Sequence, residues 1–126
     1  MKKLILAAVI PFALLAGCAS MMPGGSEPAM MKDGMLVNAK GMTLYSFDRD
    51  VRGNGKSNCN GDCAVKWPPH MASASAQPHG DYTVVVRNDG SRQWAYKGWP
   101  LYTWPEDQDP GDKYGDNYNK VWHIIR

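Results

Sequence analysis

One segment of eleven residues decides the fold, because it occurs twice without a gap: KGMTLYSFDRD at residues 40–50 and KGWPLYTWPED at residues 97–107. The two copies are offset by 57 positions. Five positions are identical and two more are similar in kind, namely Ser46 with Thr103 and Phe47 with Trp104. Downstream, Trp67 and Trp122 follow at an offset of 55. This shared order predicts that the chain is built from a duplicated unit.

The pattern within each copy is that of short strands. Residues 42–47 alternate between two faces, and residues 82–87 are rich in β-branched side chains. The turn-forming residues 88–90 then lead to residues 92–96, which predicts a hairpin. No segment after the N-terminal region has a helical period over ten residues. We therefore expect an all-β, compact single domain of two pseudo-symmetric units, closed as a small barrel or stacked as a sandwich.

Composition agrees with short strands and excludes one class of partner. The 126 residues include 13 Gly, 9 Pro, five Trp and six Tyr, a mixture that favours tight turns and aromatic packing. The formal charge is +2, but without Lys2 and Lys3 the 14 basic residues become 12, which equals the 12 acidic residues. A balanced charge gives no electrostatic reason to expect nucleic acid as a partner.

The N-terminal region has the features of an export signal. Lys2 and Lys3 precede an apolar run at residues 4–15, which is too short to span a bilayer. The next residues, LAGC at 15–18, resemble the lipobox of bacterial lipoproteins, which implies cleavage before Cys18 and lipidation of that residue. We expect a signal peptide at residues 1–17, the lipidated Cys18 with a flexible tether at 18–31, and the β domain at 32–126. Ala19 favours the outer membrane, with the protein facing the periplasm.

The repeat motif has six residues to which we assign a structural role. The rings are expected to pack between the halves, and the carboxylates to accept backbone N–H groups in the following turns. These residues are Tyr45, Phe47, Asp50, Tyr102, Trp104 and Asp107. A hydrolase using Asp50 and Asp107 is the enzymatic alternative. It is disfavoured because an acid–base pair needs two different environments, whereas the repeat makes these two equivalent.

Cys59 and Cys63 are the thiols that remain if Cys18 is lipidated. In an exported chain they favour an intramolecular disulfide, with a redox or metal-binding pair as the alternative. A metal site using His70, Met71 and His123 is a further alternative, because the duplication could relate positions 70 and 123. The Met-rich tether adds soft ligands to that alternative, but we expect no cofactor.

The combined motifs carry a family resemblance. Tyr-x-aromatic-x-x-Asp occurs at residues 45–50 and 102–107, with Cys-x-x-x-Cys at 59–63 and Trp-Pro-Pro at 67–69 between them. The chain resembles the predicted bacterial lipoprotein family known for this motif, also called the secreted repeat of unknown function. The resemblance implies an exported, often lipidated tandem-repeat protein without an established activity, and it supplies no catalytic residues.

These observations predict a non-enzymatic envelope lipoprotein with a binding or structural role. The expected partners are the membrane, through the lipid, and either cell-wall glycan or an envelope protein, with the chain itself a monomer. Aromatic residues at strand ends and turns are the candidate binding groups: Trp99, Trp104 and Tyr114. The alternative function is an envelope metal-binding or redox carrier protein.

Overall fold

The computed structural model describes residues 28–126, so the predictions for the signal peptide and for Cys18 lie outside the described residues. Short strands dominate and helix is scarce. The strands are β1 (Met30–Lys32), β2 (Met35–Val37), β3 (Tyr45–Phe47), β4 (Met71–Ala72), β5 (Tyr82–Val86), β6 (Arg92–Tyr96), β7 (Trp99–Pro100) and β8 (Trp122–Ile124). The helices are α1 (Asp62–Lys66) and a 3-10 turn at Tyr118–Lys120. The predicted all-β fold of two repeats is confirmed.

The strands form three small sheets, and these sheets are not closed into a barrel. Two of the sheets are antiparallel pairs, β1 with β2 and β3 with β8. The third has the order β4-β6-β5, and β7 also pairs with β6. The barrel considered from the sequence is therefore wrong. Strands of two to five residues, interrupted by glycine and proline turns, are too short and too separate to form one continuous ladder.

The predicted hairpin is β5 with β6, paired from Tyr82 opposite Tyr96 to Val86 opposite Arg92. A second tight turn follows at Lys97 and Gly98, which have φ angles of 50° and 90°. Two consecutive positive φ angles define the type I′ turn that suits the twist of a hairpin. A side chain at Gly98 would place Cβ 2.8 Å from the backbone nitrogen of Gly53, so this position requires glycine for space as well as for conformation.

The two repeats meet at Tyr45 and Tyr102. Each donates its backbone N–H to the carbonyl of the other, at 2.8 and 3.0 Å. The next partners also correspond: β3 pairs with β8, placing Tyr45 opposite Ile124, and Tyr102 pairs with Pro69. Pro69 and Ile124 are 55 positions apart, so the structure preserves the offset seen in the sequence. The duplicated chain is therefore arranged about a pseudo-twofold axis between the two tyrosines.

The folded domain begins earlier than the sequence suggested. Ala29 is buried in the core, and β1 starts at Met30. The backbone carbonyl of Pro28 accepts a hydrogen bond from the ring of His70. Residues 29–31, assigned above to the tether, thus belong to the domain: Ala29 is part of the core, and Met30 and Met31 pair with β2. Within residues 28–126, no helix is long and apolar enough to cross a membrane.

Candidate functional site

Four aromatic rings form a continuous stack at the junction of the repeats. The order is Phe47, Trp122, Trp67, Trp104, with successive ring centroids 4.2, 3.8 and 4.3 Å apart. The two central indoles are almost parallel, at 4°. Because Phe47 corresponds to Trp104 and Trp67 to Trp122, the stack is a palindrome about the pseudo-twofold axis. Each repeat contributes half of a single aromatic core.

Each motif tyrosine is hydrogen-bonded to the motif aspartate of the opposite repeat. Tyr45 donates its hydroxyl to Asp107 at 2.6 Å, and Tyr102 donates to Asp50 at 2.7 Å. The other carboxylate oxygens accept backbone N–H groups from the following loops, those of Tyr114 and Asn58. Each Tyr-x-aromatic-x-x-Asp motif therefore supplies the donor to one bond and the acceptor to the other. These contacts are what a structural role for the motif requires.

Burial shifts the pKa values of the motif tyrosines and of Asp50. Burial, and then the hydrogen bond to Asp107, raise the pKa of the Tyr45 hydroxyl far above its usual value. Burial also raises the pKa of Tyr102. The pKa of Asp50 is raised by burial too, although the N–H of Asn58, the hydroxyl of Tyr102 and the charge of Arg87 oppose the shift. Both tyrosines therefore stay protonated as donors at neutral pH.

A buried arginine breaks the symmetry of the two pairs. Arg87 is only 7% exposed and donates to Ser57 Oγ, to Gln93 Oε1 and to the carbonyl of Cys59. Ser57 in turn contacts the hydroxyl of Tyr102 at 2.6 Å. Arg87 thus supplies the positive charge near buried Asp50. A buried charge of this kind requires such partners, because its desolvation is costly.

The structure contains the predicted disulfide between Cys59 and Cys63, whose Cα atoms are 5.2 Å apart. Cys59 is fully buried and belongs to the aromatic core, whereas Cys63 is partly exposed. Cys63 lies in α1, a helix of five residues without a side-chain cap. So short a helix has little intrinsic stability, and the disulfide fixes it against the ring stack.

A groove of about 290 Å³ lies over this stack, between α1 and the 3-10 turn. We call it the junction groove. Its lining combines aromatic and aliphatic groups with a few polar ones: Phe47, Arg49, Asp62, Cys63, Lys66, Trp67, Tyr118, Asn119, Val121 and Trp122. A mainly apolar concavity with a small number of polar groups is typical of a small-molecule site. A second depression of about 130 Å³, lined by Trp104, Pro105 and Glu106, adjoins it and shares Lys66.

The two repeats carry unlike side chains at several positions that line the junction groove. Arg49 corresponds to Glu106 at the offset of 57, while at the offset of 55 Lys66 corresponds to Val121 and Cys63 to Tyr118. The stacked rings and the tyrosine–aspartate pairs, in contrast, occupy matching positions in both halves. The groove is therefore lined both by matched rings of the core and by polar residues that differ between the two repeats.

Arg49 and Lys66 are exposed cations. Among residues 28–126, neither side chain has an ion pair or hydrogen bond, even though Asp62 lines the same groove. Tyr118 adds an aromatic ring that is 42% exposed and lies next to Trp104, with ring centroids 4.8 Å apart. The arrangement can therefore hold a ligand with an apolar surface and an anionic group.

The three predicted binding aromatics are placed apart. Trp104 ends the ring stack and lines the smaller depression, beside the junction groove. Trp99 is half-buried in β7, opposite Tyr96, and Tyr114 is an exposed loop residue. Neither lines the junction groove. Asp50 and Asp107 do not line it either, since both are buried under the tyrosines of the opposite repeat.

The residues of the alternative metal site have separate partners. The ring of His70 bonds to the carbonyl of Pro28, and the ring of His123 lies 2.8 Å from Asp48. Met71 is exposed on β4. The pseudo-twofold axis relates His70 to Ile125 rather than to His123, because the carbonyls of these two residues accept the equivalent N–H groups of Trp94 and Leu36. Residues 28–126 contain no group of three or more His, Cys, Asp or Glu arranged to hold a metal.

Comparison with known families identifies the class of the chain. The family described as a secreted repeat of unknown function matches residues 29–71 and again residues 83–126. The chain belongs to this family, and its two matches coincide with the two structural repeats. No curated protein and no solved structure matches the chain.

Proposed function

We propose that this protein is a binding module of the bacterial cell envelope, and that its ligand occupies the junction groove. The observation that carries the proposal is the contrast between the two repeats: their core rings match, whereas the charged residues that line the groove, Arg49 and Lys66, have no cation at the equivalent positions. Within residues 28–126 these two exposed cations have no acidic partner, so their charges are available to a ligand in the groove. The volume of about 290 Å³ is near the lower limit for ligand pockets, which suits a small molecule or one segment of a polymer.

The same proposal includes a lipid anchor at Cys18 and attachment to the outer membrane on its periplasmic side. Its support is the LAGC segment at residues 15–18, followed by Ala19. Several acyl chains on one residue would hold the domain stably at the membrane surface. A Cys18→Ala variant is expected to move from the detergent phase to the aqueous phase in a phase-partition assay. Retention of this variant in the detergent phase would contradict the anchor.

The test of binding is to titrate the full chain, in a nonionic detergent, with a broad panel of envelope compounds. The panel contains neutral and acidic saccharides, aromatic acids and short peptides. Each compound is followed by the indole N–H resonances of Trp67 and Trp122, which line the groove. The proposal expects at least one class to shift both resonances in a saturable way. If no class shifts either resonance, the junction groove is not a binding site.

A further inference from the structure

The charges and shape of the junction groove define the class of ligand more narrowly, on the assumption that the proposed binding function holds. We infer that the groove binds an acidic glycan through a carboxylated sugar ring. Arg49 and Lys66 are the groups that would hold the carboxylate, and the aromatic lining is the surface on which the sugar ring would lie.

The argument begins with the cations. Arg49 and Lys66 line one groove, and in the described part of the chain neither has an acidic partner. An arginine guanidinium matches a carboxylate by two parallel hydrogen bonds, and such charge-assisted bonds are stronger than neutral ones. Asp62 reduces the net charge of the groove to one positive, since two cations face one anion. This balance suits one carboxylate within the groove itself.

The second step concerns the aromatic groups. Tyr118 is substantially exposed at the groove, and the partly buried Trp104 lies next to it. The C–H groups on the flat face of a pyranose pack favourably against the negative face of an aromatic ring. A sugar acid therefore satisfies both the ring and the charge, whereas an inorganic anion would leave the apolar surface uncovered.

The third step is the continuity of the surface. Lys66 lines both the junction groove and the adjoining depression that contains Trp104. A ligand that continues past Lys66 would meet a second aromatic surface, which is lined by Glu106, the equivalent of Arg49 in the other repeat. This shape favours a chain of sugar units over a free monosaccharide, with the carboxylated unit held at Arg49.

The experiment compares two probes with the same sugar chain: an α-1,4-linked tetragalacturonate, with one carboxylate on each unit, and its fully methyl-esterified form, in which each carboxylate is a neutral ester. Binding to the full chain in nonionic detergent is measured by calorimetry and by the Trp67 and Trp122 indole resonances. We expect the free acid to bind about tenfold or more tightly than the ester, and Arg49→Glu to remove this difference. Lys56→Glu is the matched control, because Lys56 is an exposed loop cation outside the groove.

The outcomes separate this inference from the proposed function. If the ester binds as tightly as the acid, or if benzoate or galacturonate monomer binds as tightly as the tetramer, the acidic-glycan inference is overturned while the groove remains a binding site. If no saccharide shifts the indole resonances but another compound class does, the acidic-glycan inference is likewise overturned and the groove remains a binding site. If Arg49→Glu and Lys56→Glu weaken binding equally, the effect is one of total charge and the assignment to Arg49 is overturned.

Discussion

The exchange of tyrosine–aspartate pairs between the repeats makes a quantitative prediction about stability. Changing Tyr45 to Phe removes the hydroxyl that donates to Asp107 at 2.6 Å and that also accepts the N–H of Gly115 at 3.1 Å. Asp107 is 7% exposed, so water replaces the lost donor poorly. A hydrogen bond to a buried charged group contributes about 1.5–3 kcal/mol. We expect Tyr45→Phe to lower the free energy of unfolding by about 2–3 kcal/mol.

The assay is a double-mutant cycle followed by urea unfolding and tryptophan fluorescence. The cycle that joins Tyr45→Phe with Asp107→Asn is expected to give a coupling energy of about 1.5–3 kcal/mol. The matched control cycle joins Tyr45→Phe with Asp50→Asn. Its two residues belong to the same repeat but share no hydrogen bond, so its coupling energy should stay below about 0.5 kcal/mol. A larger coupling within the repeat than between repeats would refute the pairing described above.

Three other properties follow from the same contacts. Unfolded tyrosines lose their protons near pH 10, whereas the folded motif tyrosines, with raised pKa values, keep theirs. The unfolded state therefore binds fewer protons above pH 10, and the free energy of unfolding should fall there by about 1.4 kcal/mol per pH unit for each tyrosine. In a Tyr102→Phe variant, urea midpoints from about pH 9 to 11 should show a fall that is smaller by the contribution of one tyrosine. Replacing both disulfide cysteines by serine should lower the free energy of unfolding by about 2 kcal/mol, and the wild type but not this variant should respond to reductant. In Gly115→Ala the new Cβ would lie 2.6 Å from Trp67 and 3.1 Å from Trp104. We therefore expect the free energy of unfolding, measured by heat or urea, to fall by about 1–3 kcal/mol and the near-ultraviolet circular dichroism spectrum to change. An unchanged spectrum would contradict the tight packing of the stack.

The duplication was readable from the sequence because it preserves both residue type and spacing. Alternation and turn residues were sufficient to place β5 and β6. The start of β1 was missed because Met30 and Met31 follow proline and glycine residues that indicate a linker. Only their pairing with β2 reveals that they belong to the sheet, and such a pairing is a tertiary property.

The candidate site was harder to predict. Sequence spacing suggests that Tyr45 and Asp50 act together, but it does not show that each bonds to the opposite repeat. Arg87 reads as a surface residue at the end of a strand, since an arginine is seldom buried without partners. The groove cations Arg49 and Lys66 were overlooked as well. A comparison of the two repeats that asked where they differ, instead of where they agree, would have singled both of them out.

The most direct test of the account is to replace both groove cations by the residues of the other repeat while leaving the core unchanged. Arg49→Glu and Lys66→Val together place at these positions the residues that stand at 106 and 121. Calorimetric titration of this variant with the acidic tetrasaccharide should show binding weakened about tenfold or more, while its free energy of unfolding stays within about 0.5 kcal/mol of the wild-type value. A folded variant that binds the tetrasaccharide as tightly as the wild type would contradict the account.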